Sequence, residues 1–130
     1  MSNKKPEIGT ITWVDLTIRN AEEIRDFYGK VVGWKPEPLS MGEYDDFVMN
    51  LPETKTAIAG VCHSRGSNAG LPPQWLIYIT VENIDESIST CIKLGGKIIS
   101  EPKNYAGTGK YCVIQDPAGA VCALLEPKKQ

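Results

Sequence analysis

The sequence predicts an α+β domain made of two tandem βαβββ modules, forming a curled mixed sheet around a cleft with the helices on the outer face. Two observations carry that prediction. The first is self-similarity at an offset of 63 residues: Leu16-Thr17-Ile18-Arg19-Asn20 returns as Ile79-Thr80-Val81-Glu82-Asn83, Lys30 meets Lys93, and Gly33 meets Gly96. Few identities are strict, but apolar, polar, acidic and glycine classes keep their places. A period this long, present twice, marks a duplicated supersecondary unit rather than a many-copy solenoid. The second observation is that each copy reads as strand, helix and three further strands. The chain is therefore expected to be one domain over 1–130, with half-repeats at about 7–65 and 71–128.

In the first module, Ile11–Ile18 alternates as a strand, with Val14, Leu16 and Ile18 on one side and Trp13, Asp15 and Thr17 on the other. Asn20 suits a helix N-cap, and Glu22 and Glu23 fall where the helix dipole favours acid. Ile24, Phe27, Tyr28 and Val31 form an apolar stripe at helical spacing, and Gly33 stops the helix. Strands follow near Lys35–Pro38, Tyr44–Leu51 and Thr56–Cys62, with Pro52-Glu53-Thr54 as a turn.

Residues 64–73 are rich in Gly, Ser and Pro and read as the linker. The second module repeats the plan. Ile77, Ile79 and Val81 face one side of its first strand, while Leu76, Tyr78 and Thr80 face the other. Asn83 caps a helix carrying Ile84, Ile88, Cys91 and Leu94, which ends at Gly95-Gly96. Strands near Lys97–Ser100, Lys110–Gln115 and Ala120–Glu126 close the module, the last two joined by a hairpin at Asp116-Pro117-Ala118-Gly119. The apolar set suits a helix-covered face. The mixed set, with Trp13, Leu76 and Tyr78 in it, suits a sheet lining a cavity better than a solvated face.

Charge and composition exclude several functions. A net charge of −2 gives no electrostatic case for nucleic acid or an anionic membrane. Lys and Arg are scattered, beyond the Lys4-Lys5 and Lys128-Lys129 pairs. No segment approaches the ~20 apolar residues of a membrane span. No signal peptide is expected after Met1, so a cytoplasmic protein with reduced thiols is expected. Cys62, Cys91, Cys112 and Cys122 show no CxxC spacing, which argues against a zinc ribbon or a thioredoxin-type motif. Walker and Rossmann phosphate loops and the GxSxG elbow are absent, and Gly107-Thr108-Gly109 reads as a turn between strands.

Two βαβββ halves, the phrase Asp26-Phe27-Tyr28-Gly29-Lys30-Val31-Val32-Gly33-Trp34 and the later Asp116-Pro117-Ala118-Gly119 resemble the vicinal oxygen chelate superfamily. That superfamily includes glyoxalase I, bleomycin-resistance proteins and extradiol dioxygenases. In texture the chain resembles its glyoxalase-like single-domain members, and the resemblance implies a homodimer. It also implies a divalent metal held by side chains from the first and last strand of each half. Those positions fall here at Trp13 and Gly60 and, one repeat on, at Leu76 and Ala123. None has a donor atom suited to a divalent ion, so no cofactor or metal of the usual kind is expected.

The polar residues nearest those positions are the remaining candidates. Asp15 lies two residues beyond Trp13, on the same face, and is either a general base or ligand anchor or a structural carboxylate. Cys62 lies two beyond Gly60. Across a four-residue hairpin turn, Cys112 would sit opposite Ala123 and point inward as well. Asp15, Cys62 and Cys112 are thus either a displaced metal site or buried small residues. Thr17 and Thr80 are candidates to hydrogen-bond a ligand; Trp13, Tyr78 and Tyr111 are candidates to stack on one, alongside Leu76. The single histidine, His63, is expected to point away from the cavity. The reading that follows is a cleft for a small hydrophobic or aromatic molecule. The alternatives are a lyase or isomerase on a small metabolite, with Asp15 as base or a displaced metal, and a dimeric interaction domain.

Overall fold

The computed structural model describes residues 6–104, 107 and 109–128; Lys4, Lys5, Thr108 and Lys129 lie outside them. The described residues form two compact units, one of Trp13–Trp75 and one of residues 6–12 with 76–128. The boundaries fall at Trp13 and Leu76, which are repeat-equivalent positions.

In the first module the elements are β1 (Ile11–Ile18), α1 (Ala21–Val31), β2 (Lys35–Ser40), β3 (Asp45–Asn50) and β4 (Ala57–His63). They form a mixed sheet in the order β2-β3-β4-β1, with β1 parallel to β4 and the other pairs antiparallel. In the second, β5 (Trp75–Thr80), α2 (Ile84–Lys93), β6 (Lys97–Asn104), β7 (Gly109–Gln115) and β8 (Val121–Pro127) repeat the plan in the order β5-β8-β7-β6. A 3-10 turn at Gly66–Asn68 lies in the predicted linker. This is the α+β arrangement of tandem βαβββ modules that the repeat predicts. The two helices begin at Ala21 and Ile84, one offset apart. The parallel ladders share their register too: Asp15 faces Gly60 and Thr17 faces Cys62, while Tyr78 faces Ala123 and Thr80 faces Leu125.

The helix-side cores follow the alternation. Phe47, Met49, Ala59 and Val61 bury against Ala21, with Val14, Ile18, Ile24 and Tyr28 packed on them. Ile84, Cys112 and Leu124 form the equivalent core of the second module, with Ile79, Val81, Ile88 and Ile114. Tyr28, Trp34 and Trp75 close one end of the first core: the Trp75 indole N–H donates to Tyr28 Oη at 3.2 Å, and the Trp34 and Trp75 rings meet edge to face.

Several expectations need correction. Phe27 and Val31 are 52% and 62% exposed, and Leu94 is 69% exposed, so only part of each apolar stripe enters a core. A helix packed on a sheet buries one arc of its surface, and residues at the margins of that arc stay in water. Asn20 stands at the N-cap position of α1 but does not cap; its amide donates to Glu23 Oε1 at 3.1 Å. Its backbone (φ −104°, ψ 57°) is not extended as a capping residue's is, whereas Asn83 (φ −141°, ψ 110°) is extended and accepts from Glu86 N at 3.0 Å. The second-module hairpin leaves five residues between its paired ends, Gln115 opposite Val121. Within it Asp116 Oδ1 accepts from Ala118 N and Ala120 N at 2.8 and 3.0 Å. Gly33, at φ +82°, ends α1 in the left-handed region as predicted.

Candidate functional site

In the first module, β1 and β4 bring Trp13, Asp15, Thr17, Gly60 and Cys62 to the face opposite α1. Asp15 and Thr17 are 4% and 5% exposed, Trp13 and Cys62 half-buried. Gly60 makes this cluster compact. The Cβ it lacks would lie 3.1 Å from Asp15 Cβ, 3.6 Å from Trp13 Nε1 and 3.7 Å from Cys62 Sγ. The Trp13 indole N–H, the Asp15 Cβ and the Cys62 thiol therefore converge on one glycine. Burial pushes the Cys62 thiol far up, and the charges of Asp15 and Asp46 with a hydrogen bond to Asp46 add to it, so Cys62 is a neutral thiol.

His63 turns away from this face. Its Nε2 lies 3.1 Å from Glu22 Oε1 of α1 and its Nδ1 3.3 Å from Asp46 Oδ1, which also accepts from His63 N at 2.8 Å. The hydrogen bond from His63 holds the Glu22 carboxyl below the usual carboxylate range. The imidazole is thus a tie between α1 and β3, edge-on to the Tyr44 ring, whose face Arg65 covers at 4.1 Å.

In the second module, Leu76, Tyr78 and Thr80 are buried on the face opposite α2, at 1%, 4% and 1% exposure. The rings of Tyr78 and Tyr111 lie 5.8 Å apart. The Thr80 hydroxyl donates to Thr12 Oγ1 at 3.5 Å, which engages it within its own unit. Cys112 is not on this face. It pairs with Leu124, not Ala123, and packs with Ile84 in the helix-side core. The five-residue loop shifts the register by one from the four-residue turn expected, and a one-residue shift inverts a strand residue's face. Burial pushes its thiol up to about 11.

Sequence reasoning missed Lys103. It pairs with Tyr111 across β6 and β7, and its ammonium lies 5.3 Å from the centre of that ring. The strand was expected to end at Ser100, but it runs to Asn104 through Pro102 and a register shift between Ser100 and Lys103. A proline is tolerated there because β6 is an edge strand.

The positions at which the resemblance puts metal ligands do not fit a chelated divalent ion. Trp13 and Gly60 in one module, and Leu76 and Ala123 in the other, offer no imidazole, carboxylate or thiolate. Among the described residues, no three His, Cys, Asp or Glu side chains gather in a way that would hold a metal. No described helix is long and apolar enough to cross a membrane.

A duplicated βαβββ plan with this register defines a class, and the sequence comparison places the chain in it. The chain belongs to the Glyoxalase/Bleomycin resistance protein/Dioxygenase superfamily, whose family model matches residues 10–124. It is 27% identical over 124 residues to "Putative glyoxylase CFP32" of Mycobacterium tuberculosis (strain CDC 1551 / Oshkosh), covering 95% of this chain and 46% of that one. It is 26% identical over 118 residues to anthracycline biosynthesis protein DnrV of Streptomyces peucetius, covering 91% and 42%. The chain thus spans less than half the length of these curated relatives. Among solved structures, hypothetical protein BH1468 from Bacillus halodurans C-125 aligns with a TM-score of 0.60 at 16% identity, covering 95% and 98% of the two chains. Methylmalonyl-CoA epimerase from Mycobacterium tuberculosis aligns at 0.53 and 14%, covering 89% and 86%. Likeness at these identities is likeness of fold.

Proposed function

We propose that this chain binds a small hydrophobic or aromatic molecule without a chelated metal. The observation that carries the reading is the set of side chains at the four repeat-equivalent strand positions, Trp13, Gly60, Leu76 and Ala123. Each replaces a donor by an apolar group or by none, on strand faces where Asp15, Thr17, Leu76, Tyr78 and Thr80 are buried. Apolar walls with a few fixed polar atoms are what a small-molecule site needs. Within the first module the Trp13 indole and the Asp15 side chain meet at Gly60; within the second, considered by itself, two phenol rings lie together.

A fluorescence titration with the neutral probe 1-anilinonaphthalene tests the reading. Saturable binding is expected, unchanged by EDTA and weakened about tenfold or more in Trp13→Ala, the loss of a large aromatic contact. Absence of saturable binding, or its loss on chelation, contradicts the reading.

The burial of Asp15 favours a second reading, an isomerase-type enzyme in which that carboxylate moves a proton on a bound metabolite. Such a reaction is in keeping with the methylmalonyl-CoA epimerases that share the fold. Under this reading Asp15→Asn keeps ligand affinity and loses turnover, because the amide cannot accept the proton. A sequestering protein has no turnover to lose.

A further inference from the structure

We infer that the groove between α2 and Ile8 is a site for a small apolar cation, an aryl or alkyl amine, and that Glu82 and Glu86 select for its charge. The inference goes beyond the ligand-binding reading above. The groove lies within one unit, on the helix side of its sheet, and uses no side chain of the face opposite α2.

Its volume is about 520 Å³, within the range of small-molecule sites. Backbone bonds set its outer wall. Gly9 N donates to Thr80 O and Thr80 N to Thr10 O, both at 2.8 Å, so the segment before β1 runs along β5 and holds Ile8 near Val81. Buried Leu124 is the floor, and Ile8 and Leu94, 65% and 69% exposed, stand at the margins.

The repeat explains why a hollow exists here. One repeat earlier, α1 carries Ile24, Phe27 and Tyr28, and of these Ile24 and Tyr28 pack on the first core. At the matching positions α2 carries Ser87, Thr90 and Cys91, and all three line the groove. Smaller side chains on a helix that starts at the same place leave space that the surroundings only partly close.

The charge around that space has one sign. Glu82 and Glu86 line it, and among the described residues no Lys or Arg does. Neither carboxylate enters an ion pair among the described residues. Two N–H groups at the start of α2 are already met, Ile84 N by Glu126 Oε1 and Glu86 N by Asn83 Oδ1, which leaves less there for an anion. An apolar body laid on Leu124 and Leu94 displaces water beside the two carboxylates and strengthens their pull on an ammonium. A neutral molecule of the same shape gains only the burial of apolar surface.

The test is a nuclear magnetic resonance titration of the isotope-labelled whole chain at low salt. It compares 4-phenylbutylamine, which is protonated at neutral pH, with 4-phenylbutan-1-ol. The wild type is expected to bind the amine about fivefold or more tightly, the upper end for a partly exposed ion pair. Changing both Glu82→Gln and Glu86→Gln is expected to abolish that preference while keeping the affinity for the alcohol. Ser87→Ile, which restores the residue of α1, is expected to weaken both probes about tenfold by filling the groove. Circular dichroism checks that each variant is folded, and Thr90→Phe makes the same test at an exposed position if Ser87→Ile is not. Equal affinity for the two probes, a preference that survives loss of both carboxylates, or binding that neither filling variant weakens overturns the inference. So does binding that appears only when Lys4 and Lys5 are both changed to Gln, which would give the groove to the chain's own basic segment. Binding of neither probe overturns it as well.

Discussion

Asp15 and Gly60 are neighbours across the parallel β1–β4 ladder, and the Cβ that Gly60 lacks would lie 3.1 Å from the Cβ of Asp15. At that distance a side chain at position 60 fits only if β1 and β4 give by a few tenths of an ångström. The cluster of Trp13, Asp15 and Cys62 thus depends on a residue that contributes no atom to it. Gly60→Ala is expected to destabilise the fold by about 1–3 kcal/mol, the usual cost of overpacking. Urea denaturation measures it, and an unchanged midpoint would mean that the strands part freely.

The two helix starts make a matched pair for mutation. Asn83 caps α2 through its side chain, whereas Asn20 at the equivalent place in α1 does not. Asn83→Ala is expected to cost about 1 kcal/mol, and Asn20→Ala only a few tenths. Thermal denaturation of the two variants side by side reads the difference directly; equal losses would contradict the assigned geometry.

The thiols should differ in reactivity. Cys112 has its thiol pushed up to about 11 by burial, and Cys62 is pushed up further by burial and two nearby carboxylates. At pH 8 the Cys112 thiolate fraction is then roughly one in a thousand, set by the three-unit gap between pH and pKa. Alkylation followed by mass spectrometry is expected to leave Cys62 and Cys112 unlabelled until the chain unfolds. Early labelling of Cys62 would show an open, ionised thiol and would revive it as a ligand.

Acid should loosen the tie between α1 and β3. The Glu22 carboxyl is depressed chiefly by its hydrogen bond with His63. A depressed carboxylate contributes stability that is present above its unfolded value and lost as pH falls through the folded one. Glu22→Gln is therefore expected to flatten the loss of stability on the acid side of the ordinary carboxylate range. A wild-type and variant pair with the same acid limb would contradict the pairing.

Much of the fold was legible because the chain states it twice. The offset that aligns Thr17 with Thr80 also aligns Ala21 with Ile84 at the helix starts and Gly60 with Ala123 in the ladders. Alternation put Asp15, Thr17, Leu76, Tyr78 and Thr80 on one set of faces, and all five are buried there. What escaped was what periodicity does not encode. The face of Cys112 turned on one residue of loop length at Asp116–Ala120. The exposure of Phe27, Val31 and Leu94 turned on how each helix is rolled against its sheet. Lys103 stood behind a proline and a register shift, both of which end a strand to a reader of alternation.

Metal retention by the purified chain decides between a metal-free site and a chelating one. The purified protein would be incubated with zinc, nickel, manganese and iron, desalted, and assayed by elemental mass spectrometry. No near-stoichiometric retention of any of the four is expected, in the wild type and in Asp15→Ala alike. Retention of one ion per chain that Asp15→Ala removes would contradict it, and would mean that this module chelates a metal through residues displaced from the family's positions.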